Sequence, residues 1–537
     1  MNDTATHPPS SATTCSKVFP TINPEKRRTN TLARVNEYLL GVDMGTGSTK
    51  GVLARPEGSV VATAARTHAM SLPRSGWAEM DAEVDWWQDV VEVVNELAGQ
   101  ATDGQVAGLC VCGLGPCLLV ADADSRPLRQ GILYGIDTRA TAEISELNRR
   151  YGERAIQERC GKALTSQAVG PKLLWVRHHE PEVWKRTRRW YSSHSYVVAR
   201  LTGEYVLDHH TASQCDPMYD LAANDWNHDW AEELAPGLEL PRLAWPGEVV
   251  GTLHAEAATA CGLPKGLPVC AGTIDALGEA LSAGVRGSGD LMLMYGSTLF
   301  FIGALDQMQT HPRLWTTAGV EPGSYALAAG MATSGSLTTW VQGLTGGAPF
   351  DQLVDEAAST KAGADGLLVL PYFAGERAPI FDPAARGVVA GLTLRHGRGH
   401  LLRAAYEGIA FGARHILESF DEAAGFPRRL VGVGGGTQGG LWPQIVTDVT
   451  GRLQQLPVQT IGASYGGAQL AGIGAGLVAA DAQWAEVATE LEPDLEHRAL
   501  YDELYATYRE LYPATLPSVH RLAELQNETP KGSRALV

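Results

Sequence analysis

The 537-residue sequence contains no long hydrophobic run, and this absence excludes one class of protein at the outset. A membrane-spanning helix needs about 18 or more consecutive apolar residues, and no segment reaches that length. Hydrophobic residues still make up 44% of the chain and charged residues 19%, which is typical of a globular protein. The sequence therefore predicts a protein that does not cross a membrane.

Positive charge is also scarce, since 43 Lys and Arg are set against 60 Asp and Glu, giving a formal net charge of −17. A broad nucleic-acid interface depends on basic side chains that neutralise phosphates. The charge balance therefore predicts no nucleic-acid partner, although a local anion site is compatible with it.

The eight cysteines are scattered and include no CxxC pair, which argues against a disulfide scaffold and favours reduced thiols in a cytoplasmic protein. Residues 1–36 are rich in Ser, Thr, Pro and Arg and lack the apolar core of a secretory signal, so they predict a disordered leader. An organellar transit peptide is the alternative, disfavoured by Asp3 and Glu25. Residues 521–537 predict a flexible tail.

The length of the chain predicts two large domains of mixed α/β structure, because one hydrophobic core rarely organises so many residues. The segment GLPKGLPVC, residues 262–270, carries two prolines and two glycines before a new apolar unit. We therefore predict a first domain over residues 37–268 and a second over residues 269–520.

The segment GVDMGTGSTKGVLA, which begins at Gly41, predicts a β-hairpin whose turn is made of small and hydroxyl residues. Glycines let backbone amides converge on an anion, and hydroxyl groups add donors. Asp43, beside that turn, is of the type that holds hydrated Mg²⁺ next to phosphate, and Lys50 would add positive charge. A tight turn that only needs glycine is the alternative.

Two further glycine clusters recur later in the chain. The turn YGST at residues 295–298 lies between two apolar strands and follows GTID at residues 272–275. The cluster VGVGGGTQGG, from Val431, joins an apolar strand to a helix, where flat backbone would accept a purine ring. Two phosphate turns on two domains predict a cleft that closes on a triphosphate.

Several motifs in this order resemble the FGGY carbohydrate kinases, and most of all their xylulokinase-like branch. They are DMGTGSTKG (43–51), GWAEMDAEVDWW (76–87), ILYGIDTRA (132–140), PKLLW (171–175), RLTGEY (200–205), GTIDALGEAL (272–281), YGST (295–298) and GGGTQGGLWPQIVTDVTG (434–451). The resemblance covers about residues 37–515. It implies an α/β fold of two ribonuclease-H-like domains, as in the actin and Hsp70-like ATPases, with an interdomain cleft.

The resemblance further implies ATP-dependent phosphorylation of a primary hydroxyl on a small sugar or polyol, with a pentulose such as xylulose favoured. Asp275 would be the catalytic base and, with Asp43, would hold Mg²⁺. The phosphate contacts implied are Thr46, Gly47, Ser48, Lys50, Thr273, Gly296, Ser297 and Thr298. The adenosine contacts implied are Gly434, Gly435, Gly436 and Thr437.

For the sugar, the resemblance points to Trp77, Glu79, Asp137, Arg139 and Asp275, although a structural salt bridge among the charged residues is a strong rival. His194 and Tyr196 precede LTGE where the family often faces substrate, but a satisfied surface histidine is the preferred interpretation. One departure concerns residues 115–117, which read Gly-Pro-Cys where relatives carry a Met-His or Arg-Glu pair that touches substrate. The precise sugar is therefore left open.

Two other functions compete with the kinase. A catalytically weak relative that senses sugar and nucleotide would share the fold. A nicotinamide dehydrogenase, suggested by GVGGG at residues 432–436, is disfavoured because no GxGxxG opens a βαβ unit. The oligomeric state is not fixed by the sequence, and a homodimer is left open.

Overall fold

The computed structural model describes residues 36–425 and 427–528. Its strands are β1 (Asn36–Met44), β2 (Ser48–Ala54), β3 (Val60–Thr67), β4 (Glu79–Met80), β5 (Gly104–Gly113), β6 (Leu119–Ala121), β7 (Gly131–Ile132), β8 (Arg189–Tyr191), β9 (Val206–Asp208), β10 (Tyr219–Asp220), β11 (Asp225–Trp226), β12 (Arg242–Ala244), β13 (Val249–Thr252), β14 (Pro268–Cys270), β15 (Thr273–Ile274), β16 (Asp290–Tyr295), β17 (Leu299–Leu305), β18 (Trp315–Ala318), β19 (Tyr325–Met331), β20 (Leu368–Leu370), β21 (Val388–Ala390), β22 (Arg429–Val433), β23 (Gln454–Pro457) and β24 (Val487–Leu491).

The α-helices are α1 (Asp89–Ala98), α2 (Thr141–Tyr151), α3 (Glu153–Cys160), α4 (Val169–His179), α5 (Pro181–Arg186), α6 (Ser193–Thr202), α7 (His209–Ala212), α8 (His228–Leu234), α9 (Ala255–Cys261), α10 (Asp275–Ser282), α11 (Gly335–Leu344), α12 (Phe350–Ala358), α13 (Arg398–Ala424), α14 (Leu441–Thr450), α15 (Ala463–Gly474) and α16 (Arg498–Glu528). A π-helical segment, Ala82–Gln88, precedes α1, and short 3₁₀ segments span Ala364–Gly366, Gly435–Thr437 and Leu495–His497. No helix of the described residues is long and apolar enough to cross a membrane.

The first sheet is built around β1, whose residues Leu39–Val42 are fully buried. Its strand order is β13-β14-β5-β1-β2-β3, with β15 added beside β5. Strand β1 pairs antiparallel with β2 and parallel with β5, which confirms the predicted hairpin. Helices α1 and α15 cover the two faces, because Gly51 packs on α1 and Gly41 packs on α15. A central strand covered on both faces reads as a continuous apolar run, as this one does.

The second sheet repeats this plan. Its order is β18-β19-β17-β16-β22-β23-β24, and β16 pairs antiparallel with β17 and parallel with β22. The central five strands of the two sheets therefore share one arrangement: β3-β2-β1-β5-β14 and β19-β17-β16-β22-β23. Each sheet has its own hydrophobic core, and the two-domain ribonuclease-H-like fold is confirmed.

The boundary between the domains lies later than predicted. Strands β14 and β15 pair with β5 of the first sheet, so residues 269–274 belong to the first domain rather than to the second. The connection is made by α10, and α15 returns from the second half of the chain to pack on α10 and β1. Gly41 permits this close packing, since a Cβ built there would lie 2.3 Å from the backbone nitrogen of Ala468. A division at residue 268 misses this because a helix that crosses between domains leaves no break in composition.

The leader and the tail predicted at the two ends of the chain can be compared with the structure only in part. The predicted leader lies outside the described residues, except for Asn36, which begins β1. The predicted tail from residue 521 needs correction, because α16 continues to Glu528. Ala523 is buried, and Nε of Arg386 in the second domain donates to Oε1 of Gln526 at 2.8 Å, so this end of the helix is still held by the second domain. Residues 529–537 lie outside the described residues.

Candidate active site

A cavity of about 270 Å³ lies between the two sheets and brings together residues that are distant in sequence. The first domain contributes Asp43 from the end of β1 and Asp275 from the start of α10. The second domain contributes Thr298, in the turn between β16 and β17, and Arg377. The predicted cleft therefore exists, and each domain supplies one wall.

Four carboxyl groups line this cavity, and three of them influence one another's ionisation. Burial, together with the neighbouring Asp43 carboxylate, raises the pKa of Asp275 to about 8. Burial raises the pKa of Asp43 to about 6, while Lys50 opposes the rise. Glu279, one helical turn after Asp275, has its pKa raised to about 7 by burial and by Asp43. Carboxylates that oppose one another's ionisation form a site that a cation would stabilise.

The donor set of this cavity fits Mg²⁺. Oδ1 of Asp43 is buried and has no hydrogen-bond partner in the described residues, so a lone pair is free for a cation or its water. Among the residues the structure describes, no group of three or more His, Cys, Asp or Glu side chains could hold a metal ion. Mg²⁺ keeps several waters and binds through one or two carboxylates plus substrate phosphates, so Asp43 and Asp275 would be sufficient protein ligands.

The turn of the first hairpin lies beside Asp43. The amide of Gly45 donates to the carbonyl of Ser48 at 2.9 Å, which closes the turn around Thr46 and Gly47. Lys50 pairs across the hairpin with Asp43 and is exposed. These residues do not line the cavity itself, so their predicted contacts with phosphate stay predictions.

The YGST turn stands between two cavities. Thr298 lines the first, whereas Gly296 and Ser297 line a second cavity of about 460 Å³. The amides of Ser334 and Gly335 donate to the carbonyls of Ser297 and Gly296 at 3.0 and 2.9 Å, and this anchors the turn to the start of α11. An extended ligand that lies along this turn would therefore reach into both cavities.

The second cavity is lined by the predicted glycine cluster and by aromatic rings. Gly435 and Gly436 line it together with Tyr406 and Trp442, whose rings stack at 5.4 Å. A Cβ on Gly436 would lie 2.5 Å from the Trp442 ring, so only glycine fits without a shift. Gly434 and Thr437 complete the turn, and the Thr437 hydroxyl donates to the Gly434 carbonyl at 2.8 Å. The shape and the flat backbone suit a planar heterocycle.

Thr273 is a correction to the predicted phosphate contacts. Its hydroxyl donates to Oδ2 of Asp208 at 2.9 Å, and its side chain is fully buried. Pairing of β15 with β5 fixes this orientation, while the next two residues, Ile274 and Asp275, face the cavity. Thr273 therefore anchors the strand that carries Asp275.

Of the predicted sugar contacts, Asp275 lines the cavity, whereas four others form a buried network that does not line it, so their contacts with sugar stay predictions: Trp77, Glu79, Asp137 and Arg139. Arg139 binds Asp137 at 2.6 Å and Glu79 at 2.7 Å, and its guanidinium lies 3.9 Å from the centre of the Trp77 ring. The side chains of Arg139 and Asp137 are fully buried. Arg129 adds a second contact to Glu79 at 2.5 Å. Mutual pairing satisfies these groups, so the structural salt bridge is the interpretation that the geometry supports.

The histidine before LTGE is paired through one ring nitrogen, and it is buried rather than at the surface. Nε2 of His194 lies 2.9 Å from Oδ1 of Asp208, and both side chains are fully buried. Burial alone would raise the pKa of Asp208, but hydrogen bonding and charge from His194 hold it below the usual range. The hydroxyl of Tyr196 donates to Glu83, so neither side chain lines the cavity.

Sequence reasoning missed the polar residues that do line the cavity. Gly115 lines it, but Cys117 is buried and points away, its thiol bonded to the Leu114 carbonyl. Amide and hydroxyl side chains instead come from the loop between α3 and α4 and from the second residue after α7: Thr165, Gln167 and Gln214. None of these three residues belongs to a recognisable motif. Glu279 could have been found from its spacing of four residues from Asp275, which places both side chains on one face of a helix.

Two ribonuclease-H-like domains that close on a double cavity define a member of the actin and Hsp70-like ATPase superfamily. A model of the FGGY family of carbohydrate kinases, N-terminal domain, matches residues 38–281, and the C-terminal domain model matches residues 291–475. The gap between the two matches coincides with the end of α10 and the loop before β16.

Similar proteins agree with this assignment. The solved structure of a xylulose kinase from Rhodospirillum rubrum is 35% identical, with a TM-score of 0.83 and coverage of 90% of this chain and 100% of that one. The xylulose kinase of Escherichia coli is 29% identical over 89% of this chain and 99% of its own length. That of Bacillus subtilis is 28% identical over 89% and 97%. The chain belongs to the FGGY family of carbohydrate kinases, and it phosphorylates a sugar with ATP.

Proposed function

We propose that the acceptor is a ketopentose, with D-xylulose a leading candidate, and that Asp275 is the catalytic base. The observation that carries the proposal is the interdomain cavity, where Asp275, Asp43 and Thr298 meet. The named activity of the similar xylulose kinases supports the choice of sugar.

Asp275 has the properties that the reaction asks of a base. Phosphoryl transfer needs alignment and charge neutralisation, together with one group that accepts the proton of the attacking hydroxyl. A carboxyl group with a pKa near the working pH serves that purpose, and burial supplies the shift. Asp43, with its free Oδ1, would hold Mg²⁺, which supplies positive charge to the phosphate oxygens when it is bound.

The acceptor end of the cavity favours an uncharged molecule. Oε1 of Gln167 is buried without a hydrogen-bond partner, a condition that a ligand hydroxyl would relieve. Lys162, the cation of that end, is already held by the Ser213 carbonyl at 2.7 Å and by Asp216 at 3.3 Å. It is therefore not free to bind a carboxylate. Gln167, Gln214 and Thr165 thus take the place of the pair that is missing at residues 115–117.

The second cavity is proposed as the adenosine site. Its glycine cluster and its Trp442 and Tyr406 rings support a flat base, and Gly296 and Ser297 would lie along the phosphates. From there the YGST turn leads to Thr298 and the first cavity.

A coupled ATP-consumption assay over D-xylulose, D-ribulose, D-fructose, D-gluconate, erythritol and glycerol tests the acceptor. We expect a ketopentose to give the highest kcat/KM and glycerol to be poor, because a three-carbon polyol cannot reach the amides at the far end. A clear preference for glycerol or gluconate would contradict the proposal. Binding of sugar and ATP without any ATP consumption would instead indicate the sensor.

The base is tested in the same assay with Asp275→Asn. We expect kcat to fall by about 10²-fold or more while ATP and sugar still bind. Asp229→Asn is the matched control, since Asp229 also lies in the first turn of a helix but is exposed. Activity of Asp275→Asn within a few-fold of the wild type would assign Asp275 another role. A homodimer, a cytoplasmic location and the lack of a nucleic-acid partner stay predictions.

A further inference from the structure

Arg377 is a cation that the second domain places in the reaction cavity. It lies in the loop between β20 and β21 and lines the same cavity as Asp275, Asp43 and Thr298. Its charge acts on Tyr134, another residue of that cavity, whose hydroxyl also feels the charges of Asp275 and Asp43. Arg377 and these two acids thus act on one tyrosine of the cavity, whereas Lys162 is held by Ser213 and Asp216.

The guanidinium of Arg377 is incompletely satisfied by the protein. Its Nη2 donates to the Met331 carbonyl at 2.9 Å, and its Nε is buried without a partner. No carboxylate of the described residues forms an ion pair with it. Buried arginines are ordinarily paired with a carboxylate or a phosphate, because an uncompensated charge is costly.

The neighbouring carboxyl group does not supply that partner. Oε1 of Glu376 accepts hydrogen bonds from the amides of Ala332 at 2.6 Å and Arg377 at 2.8 Å, while Oε2 is buried and unpartnered. Burial raises the pKa of Glu376 to about 8, and its carboxyl oxygens make no hydrogen bond to the Arg377 guanidinium. The positive charge of Arg377 is thus left for a ligand.

We propose that Arg377 binds the phosphoryl group during its transfer from ATP to the sugar, and so acts as a catalytic residue of the second domain. In that step the bond between the γ-phosphorus and the ADP oxygen breaks, a phosphorus–oxygen bond to the sugar hydroxyl forms, and the hydroxyl proton passes to Asp275. The proposal rests on ATP-dependent phosphorylation by this family and not on which sugar is the acceptor.

The surroundings favour a phosphoryl group over a carboxylate of the acceptor. Asp43, Asp275 and Glu279 make this end of the cavity acidic, so an incoming phosphate needs positive charge from the opposite wall. Thr298, beside which the phosphates would pass, lines that same wall. Preorganised cations aimed at a transferring phosphoryl group are an effective source of transition-state stabilisation.

The test compares Arg377→Met with the wild type in direct binding of the best acceptor and of its phosphorylated product. We expect the affinity for the sugar phosphate to fall by about 10-fold or more, because charge-assisted hydrogen bonds are lost, while the affinity for the free sugar stays within about 2-fold. We expect kcat to fall by about 10²- to 10³-fold. Arg395→Met is the matched control, since Arg395 is exposed in the second domain and lines neither cavity.

Arg377→Lys keeps the charge but loses the planar fork, so we expect a smaller loss of product affinity and of kcat. This variant decides the matter if Arg377→Met does not fold. Unchanged product affinity and unchanged kcat in a folded variant would overturn the proposal, and so would equal losses for sugar and sugar phosphate. Loss of activity on gluconate alone, with the ketopentose unaffected, would assign Arg377 to an acceptor carboxylate and would also overturn it.

Discussion

The two domains share a scaffold but differ in the residues that the scaffold presents to the cleft. In each, a three-residue turn follows the central strand, and the last residue but one of that strand lines the cavity. This residue is Asp43 in the first domain and Met294 in the second. Their cross-strand partners differ in the same sense, since Lys50 pairs with Asp43 and Phe300 pairs with Met294. Equivalent backbone positions thus carry charge on one side and apolar groups on the other.

The difference shows that the fold sets positions while individual side chains set chemistry. The first domain supplies three interacting carboxyl groups. Asp275 and Glu279 lie one turn apart on α10, directly after β15, and both feel the charge of Asp43. The second domain supplies the aromatic cavity, the turn that borders both cavities and the proposed cation Arg377. An asymmetric division of this kind suits a reaction that joins two different substrates.

The largest effect is expected on stability, at the buried ion pairs of the first domain that do not line the cleft. Arg139→Met removes one member of a buried network: Asp137 loses its ion-pair partner, and Glu79 keeps only Arg129. Breaking a buried ion pair in this way costs about 3–5 kcal/mol. We therefore expect the free energy of unfolding, measured by denaturant titration, to fall by that amount, while the folded fraction keeps its acceptor KM.

Arg154→Met is the control for that variant. Arg154 pairs with Glu158 on the surface of α3 and is 91% exposed, so its removal should change the free energy of unfolding very little. If Arg139→Met stayed stable but raised the acceptor KM, the network would be a sugar site after all.

An intermediate effect is expected at the paired positions that distinguish the two domains. Asp43→Asn should lower kcat by about 10- to 100-fold and raise the Mg²⁺ concentration needed for half-maximal activity, because a carboxylate beside the phosphates is lost. Met294→Leu at the equivalent position conserves volume and charge, so we expect little change. A Mg²⁺ titration of the activity of both variants makes the measurement.

Equal effects of the two substitutions would remove the asymmetry between the domains. An unchanged Mg²⁺ requirement in Asp43→Asn, with kcat reduced, would show that Asp43 acts on the reaction without holding the metal.

Features that depend on a local sequence motif could be predicted, whereas cavity residues that come from separate loops could not. Both hairpins and the strand-to-helix glycine turn were predictable because local backbone demands, apolar alternation and small residues coincide there. Asp43 and Asp275 were located by motif. Gln167 and Arg377 were not, since their roles depend on loops that meet only in the folded chain.

Motif membership was also misleading in places. Thr273 and Arg139 lie in motifs that suggest ligand contacts, but their partners, Asp208 and Glu79, come from distant segments. A single sequence does not show which polar side chains are hydrogen-bonded within the protein and which are left to bind a ligand. The same limit applied to the domain boundary, because β15 joins the first sheet through pairing with a strand some 160 residues earlier.

The smallest effect is expected at the contact that holds the domains together across the far rim of the cleft. The amide of Ala318, in the edge strand β18 of the second sheet, donates to Oγ of Ser213 in the first domain at 3.0 Å. The Nδ1 atom of His210 lies 2.6 Å from the Ala318 carbonyl, and Lys162 reaches the Thr316 carbonyl at 3.2 Å. In this geometry of the cleft, backbone groups of the edge strand β18 in the second domain are thus hydrogen-bonded to residues of the first domain.

Ser213→Ala should weaken closure without touching the reacting groups. Loss of one hydrogen bond costs about 0.5–1.5 kcal/mol, so we expect kcat/KM to fall a few-fold. Scattering curves should show compaction of the wild type with sugar and a non-hydrolysable ATP analogue, as a closing cleft requires, and less compaction of the variant at equal saturation. Ser419→Ala is the control, because Ser419 is also buried but bonds within its own helix, α13. Identical curves for the wild type with and without bound ligands would contradict closure itself, whereas full compaction of Ser213→Ala would show that the rim contact does not contribute to it.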